Sequence, residues 1–319
     1  MLPHKAFFRE HADGIHVIDT GFHRPQFDAS YLVNEKGRAA FVDTGTNHSI
    51  PRLLASLDAV GLSPDQVDYV IATHVHLDHA GGAGLLMRLL PHARLVVHPR
   101  GARHMIDPTE LMAGALAVYG QEELTRSYGD VIGVEAQRVI VTHDGMTLDF
   151  AGRPLFFIDT PGHARHHHCI WDERSRGFFT GDTFGLSYRE FDSERGACLF
   201  PTTTPVQFDP EALRGSVERM LAFEPEWMYL THYGPVDNVQ ALGKQFLDTL
   251  DAMVALGRSV EKSAHRHEAL RAGLVEIYRE RLRISGCTMS DAQAMGLLAL
   301  DIELNAKGMG IWLDRSQVH

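Results

Sequence analysis

Apolar positions in the first hundred residues come in short runs, alternating with polar ones and stopping at Gly, Asp or Pro. The runs 14–19, 30–34, 39–43, 67–73 and 94–98 have the two-residue period of strands. Between the third and fourth, Ser49 followed by Ile-Pro-Arg-Leu-Leu-Ala-Ser-Leu predicts a capped helix that ends at Gly61. A second helix is predicted over 82–90. Strands alternating with helices indicate an α/β layered body. The spacing turns helical over 108–129, an insertion whose stripe of Leu111, Met112, Leu116 and Tyr119 reads as core or a subunit contact. A second strand-rich stretch covers 138–142, 146–150, 154–159, 168–171, 177–180 and 227–231. Two strand sets, each with helices, predict two sheets packed face to face.

Residues 192–210 contain Pro breakers and a Thr-Thr-Thr run, so a loop near the mouth of any site is expected there. Beyond about Asn238 only helical spacing remains, over 239–256 and in a charged stretch over 263–283. The expected organisation is a body over 1–238 with a helical insertion at about 100–130, then a helical appendage over 239–319. The appendage is read as capping the pocket or pairing subunits as a homodimer.

Composition narrows the class. The 319 residues carry 30 basic and 41 acidic side chains, a net charge of −11, with 44% hydrophobic residues, as in a globular protein rather than a disordered one. An acidic excess disfavours nucleic acid as a partner. The longest apolar stretches, such as 295–300, are far too short to span a bilayer, and Arg9 and Glu10 interrupt the only apolar patch near the start. No membrane role and a cytoplasmic location are therefore expected. Cys169, Cys198 and Cys287 show no C-x-x-C spacing and read as small buried hydrophobes. Histidine, at 20 residues, is the informative excess.

Directly after the strand VDYVIAT stands Thr-His74-Val-His76-Leu-Asp78-His79-Ala-Gly-Gly. Residues i and i+2 of an extended chain point to one side, so His74 and His76 are placed to bind one metal ion. Asp78 and His79, in the turn that follows, are placed to reach a second. Three more candidates sit at the ends of apolar strands: His163 in Pro161-Gly-His after FFIDT, Asp182 in Gly-Asp after GFFT, and His232 after WMYL.

With these segments in hand, the sequence resembles the metallo-β-lactamase superfamily. Its H-x-H-x-D-H signature stands at His74 to His79, and the PGH, GD and strand-end His segments follow in the family's order. The resemblance covers roughly residues 10 to 240. It implies an α/β fold, the four-layer αββα metallo-β-lactamase sandwich, with a dinuclear site at one edge of the sheets. His74, His76 and His163 are then ligands of the first ion and Asp78, His79 and His232 of the second, with Asp182 between them. The run Thr160-Pro-Gly-His-Ala-Arg-His-His167 looks most like glyoxalase II and related small hydrolases.

The activity implied is hydrolysis of a small-molecule ester, thioester or lactone by a hydroxide held between two divalent ions. Asp182 orients the hydroxide, and Asp78 serves as ligand and proton shuttle, which makes Asp78 and Asp182 the expected catalytic carboxylates. Zinc is the expected metal, while iron and manganese suit the same donors. The alternative within the fold is a diiron redox or dioxygen-binding protein, although His76 stands where a flavodiiron-type protein would carry Glu. Of His166, His167 and His168, one is expected to orient His163 and the others to be structural. His23 reads as a surface-loop residue, Tyr188 and Tyr233 as packing residues, and His265 and His267 as solvated.

Overall fold

The computed structural model describes residues 7–316 apart from Pro205. They form two compact units. One runs to Asp159, resumes over His166–Gly181 and closes with Trp227–Pro235; the other comprises Thr160–Arg165, Asp182–Glu226 and the chain from Val236 onward.

In the first unit a seven-stranded sheet has the order β1 (Phe8–Glu10), β2 (Ile15–Asp19), β3 (Ala29–Glu35), β4 (Arg38–Val42), β5 (Val67–Ile71), β6 (Arg94–Val97) and β7 (Val139–Val141). Pairing is antiparallel from β1 to β4 and parallel from β4 to β7. The parallel half needs crossovers. Helices supply them: α1 (Ile50–Ala59), the one-turn α2 (Leu77–Ala80), α3 (Ala83–Leu89), α4 (Pro99–Ile106), α5 (Thr109–Tyr119) and α6 (Gln121–Ser127).

The second sheet contains β8 (Thr147–Phe150), β9 (Arg153–Asp159), β10 (His168–Asp172), β11 (Gly177–Gly181), β12 (Trp227–Leu230) and β13 (Gly234–Val236). The strand period decides the faces. On β3, Tyr31 and Val33 enter the core between the sheets with Phe150, Phe157, Phe179 and Tyr229, whereas Leu32 enters the core with Phe41, Leu53, Leu57 and Leu86. Both faces of the strand are thus covered, which is why its sequence reads as one apolar run. Two mixed sheets flanked by helices make this the αββα sandwich that the motifs implied, followed by C-terminal helices.

Several expectations need correction. The strand expected to open the second set, β7, pairs in parallel with β6 and belongs to the first sheet. Strands β1 and β13, at sheet edges, were not predicted. Ser49 does not cap α1. Its hydroxyl accepts from Thr46 N at 3.2 Å, inside a short 3-10 turn whose N-cap is Thr46. The insertion stripe is not a core face: Leu111 packs on the apolar cluster and Met112 is half-buried, but Leu116 is 43% exposed. Helix α5, TELMAGALAVY, has apolar residues on all sides and so presents no single stripe. The side chain of Tyr119 lies outside the described residues.

The second unit holds α7 (Pro210–Leu221), α8 (Val239–Val260), α9 (Arg266–Ser285), α10 (Asp291–Leu297) and α11 (Ala299–Ser316). It also contains the 182–209 segment, whose described residues are irregular except for a 3-10 turn at Arg189–Phe191 and isolated bridges. Tyr188 is buried and its hydroxyl lies 3.2 Å from both Asp301 carboxylate oxygens, the packing role expected of it. His267 is tied to Glu303 at 3.3 Å rather than simply solvated. No helix among the described residues is long and apolar enough to cross a membrane.

Candidate metal centre

In the first unit, β5 ends at Ile71, and the extended residues after it lead into the one-turn helix α2. This brings His74, His76, Asp78 and His79 to one sheet end. The turn after β12 adds His232. Ring centroids of His74 and His76 are 4.3 Å apart, those of His74 and His79 4.0 Å, and those of His79 and His232 5.4 Å. Donor atoms of Asp78, His79 and His232 all lie within 4.8 Å of one another. Asp78 Oδ2 is 3.4 Å from His232 Nε2 and 3.8 Å from His79 Nε2. His74 and His79 are fully buried, while Asp78 keeps partial exposure.

Proton positions follow from what each ring meets on its other side. A carbonyl only accepts, so the Phe27 oxygen 3.0 Å from His232 Nδ1 places the proton there and leaves Nε2 as the lone-pair nitrogen facing Asp78. His79 Nδ1 donates to Asp43 Oδ2 at 2.8 Å. The single proton of the Thr73 hydroxyl goes to Asp43, 2.8 Å away. That hydroxyl therefore accepts from His74 Nδ1 at 3.3 Å, which leaves His74 Nε2 as the acceptor facing His76 Nδ1 at 2.7 Å. Several imidazole nitrogens and a carboxylate converging on one place are a donor set for a borderline cation such as zinc, iron or manganese. The residues fit a metal ion.

Asp43 was not singled out from the sequence. It is 1% exposed and accepts from Thr73 N and from the Thr73, His79 and Thr231 side chains, thereby joining both metal-ligand segments. Its signal was an acid closing the apolar run FV, a strand-end acid like Asp182, although Thr-Gly follows Asp43 and precedes Asp182.

The run His166–His168 serves the sheets and the rings of His74 and His76. His167 stacks on His74 at 4.7 Å and 23°, and His166 meets His76 edge-on at 5.4 Å. His168 Nε2 donates to the Ala72 carbonyl at 2.8 Å and its Nδ1 lies 2.9 Å from Thr142 Oγ1, so it ties β10 to the first sheet. Burial pushes its pKa down to about 3. Near the same end, Asp28 is fully buried, with one oxygen 2.8 Å from Thr20 Oγ1 and the other lacking a hydrogen-bond partner; burial pushes its pKa up to about 7. His23 is exposed on the loop, as expected, and Tyr233 packs in the inter-sheet core.

In the second unit, His163 and Asp182 come together. His163 Nε2 is 3.3 Å from Asp182 Oδ2, both are buried, and the Thr202 carbonyl faces His163 Nδ1 at 3.3 Å. The turn before His163 depends on Gly162, at φ +132°, where a Cβ would lie 2.3 Å from Leu213 Cα of α7. The turn launching Asp182 depends on Gly181, at φ +47°.

The family model of the metallo-β-lactamase superfamily matches residues 23–232 and so spans every candidate ligand. The metallo-β-lactamase fold-containing protein ST1585 of Sulfurisphaera tokodaii is 27% identical over 233 residues, 70% of this chain and 79% of its own. The crystal structure of ST1585 aligns with a TM-score of 0.66 at 22% identity, over 94% of this chain and 99% of that one, a likeness of fold. Hydroxyacylglutathione hydrolase of Serratia proteamaculans is 25% identical over 239 residues, 70% of this chain and 79% of that enzyme. Atrochrysone carboxyl ACP thioesterase of Aspergillus fumigatus is 28% identical over 155 residues, 48% of this chain and 39% of that one.

Proposed function

This chain belongs to the metallo-β-lactamase superfamily, and on that premise we propose that it is a dinuclear metal-dependent hydrolase of a small ester, thioester or lactone. Family and histidine–aspartate cluster together support a metal-dependent enzyme of hydrolase type. One observation carries the finer reading: Asp78, His79 and His232, drawn from two distant segments, converge within 4.8 Å, with the ring nitrogens of His79 and His232 aimed inward by buried oxygens behind them. The likeness to a hydroxyacylglutathione hydrolase and to an ACP thioesterase favours acyl esters of thiols among the substrates.

In this reading His74, His76 and His163 hold one ion, Asp78, His79 and His232 hold the other, and Asp182 serves both. Bound there, two divalent cations would supply Lewis acidity to a carbonyl and lower the pKa of a water toward ~7. The chain's own residues do the rest. Asp182 orients the attacking water. Asp78, with Oδ2 turned toward His79 and His232, takes up the proton on its other carboxylate oxygen and returns it to the leaving oxygen or sulfur. Buried His74 and His79 keep bulk water from the inner side of the site. The proposed partner is a small-molecule substrate, and the proposal places the enzyme in the cytoplasm, without nucleic-acid or membrane partners and with a homodimer formed through the appendage.

The test is metal analysis of the purified protein with a screen against lactones, thioesters, phosphodiesters and β-lactams. Two zinc equivalents and turnover of an ester, thioester or lactone are expected, with Asp78→Ala binding a single equivalent. A coloured, redox-active diferric centre without hydrolysis would overturn the reading in favour of dioxygen or redox chemistry.

A further inference from the structure

The C-terminal helices lie outside the family-matched residues 23–232, and two of them grip the breaker-rich segment beside His163: α9 through the Ser285 carbonyl, which accepts from Ser193, and through Tyr278 against Phe200, and α11 through Asn305. We infer that Asn305 of α11 is a positioning residue for His163: it fixes residues 201–204, and that segment fixes the imidazole. The inference rests on the reading of His163 as a metal ligand.

Asn305 is 1% exposed. Its Oδ1 accepts from Thr203 N at 2.7 Å, and its Nδ2 donates to the Pro201 carbonyl at 3.2 Å and to the buried Tyr278 hydroxyl of α9. The residues flanking Thr203 make the contacts to His163. The Thr202 carbonyl meets its Nδ1 at 3.3 Å, and the Thr204 hydroxyl donates to its carbonyl at 2.9 Å. Both N–H bonds of the amide and an oxygen lone pair are therefore engaged in a buried setting. Displacing the segment would leave those groups unpaired.

Residues 201–204 belong to no helix or strand, so no ladder of their own holds them in place. The Thr202 carbonyl is the oxygen that keeps the His163 proton on Nδ1 and turns Nε2 toward Asp182 at 3.3 Å. Helix α11 is also shaped for this approach. One turn beyond Asn305, on the same face, stands Gly308, where a Cβ would meet Thr203 Oγ1 at 2.2 Å and the Thr204 carbonyl at 2.6 Å. Glycine inside a helix is less favourable than alanine. Close contact with the loop is the physical reason to retain it there.

Four variants of the full chain test the inference, read by competition of zinc with a chromogenic chelator and by the visible spectrum on titration with cobalt(II). Asn305→Ala should bind one of the two metal equivalents about tenfold more weakly, the lower end of what removing an orienting partner costs. Gly308→Ala should show the same loss although alanine favours the helix, because its methyl displaces Thr203. Leu313→Ala, buried in the same helix but outside this network, should lose stability while keeping both affinities. Equal loss in Leu313→Ala and Asn305→Ala, or parental affinity in Gly308→Ala, would overturn the positioning role. If Asn305→Ala does not fold, Gly308→Ala decides. His163→Ala separates the two readings: retention of both equivalents at parental affinity would sink the ligand assignment, whereas loss there with none in Asn305→Ala and Gly308→Ala would sink the positioning role alone.

Discussion

Each imidazole of the cluster whose far side meets oxygen is told where to keep its proton. Asp43 performs this for His79 directly and for His74 through the Thr73 hydroxyl. Asp43→Asn keeps the shape but replaces one acceptor oxygen with a donor, which opposes either His79 Nδ1–H or the Thr73 groups. Metal affinity should fall about 10- to 100-fold, with ~1–3 kcal/mol lost from stability through the unpaired buried group. Chelator competition on the variant checks this, and unchanged affinity would show that Asp43 does not orient the ligands. His168 gives a pH dependence of definite sign. Its folded pKa of about 3 lies below the ordinary 6.5, so between those values the unfolded chain binds more protons. Stability therefore rises with pH across that window, by at most ~1.4 kcal/mol per pH unit from this group, and the contribution is fully present above pH 6.5. Urea unfolding of metal-free protein between pH 4 and 7 should show a shallower slope for His168→Gln than for the parent. An identical slope would mean that His168 is not what titrates.

At the scale of elements, every proposed ligand follows an apolar strand, and that is why the candidate site is legible in the sequence. A strand buried on both faces reads as a continuous apolar run, and the polar residue that ends it marks the sheet edge. Sheet membership was less legible. Strand β7 has the same apolar signature whichever sheet it joins, and only its parallel partner β6 decides. Asp43 was hidden for a related reason, since an acid before Thr-Gly at a strand end also describes an ordinary turn. Histidines 166–168 were ambiguous because ring stacking on His74 and His76 leaves no trace in spacing. Glycine was the reliable punctuation. At Gly162 the backbone sits at φ +132° against α7, whose Ser216 hydroxyl donates to the Pro161 carbonyl at 2.7 Å. Gly162→Ala combines a strained conformation with a backbone clash, so a loss of roughly 3 kcal/mol or more is expected, accompanied by weaker binding of the metal equivalent that His163 holds. Thermal unfolding and metal titration check it together; a variant as stable as the parent would show that the turn tolerates a side chain.

Over the whole molecule, the proposed donors come from segments between His74 and His232, with His74, His76, Asp78, His79 and His232 in one compact unit and His163 and Asp182 in the other. A ligand that binds only the folded state stabilises it by mass action, about 2.7 kcal/mol at a free concentration one hundred times its dissociation constant. For a chain of 319 residues that corresponds to a rise of roughly 4 °C in the unfolding midpoint. Exhaustive chelation should lower the midpoint by such an amount, and added zinc should restore it. Magnesium should not, because it prefers oxygen ligands to imidazole. The division into two units sharpens the test. If unfolding is resolved into two transitions, both should move with metal, because both units contribute proposed donors. A second-unit transition indifferent to chelation would mean that His163 and Asp182 hold no ion, and the dinuclear reading would contract to the donors of the first unit.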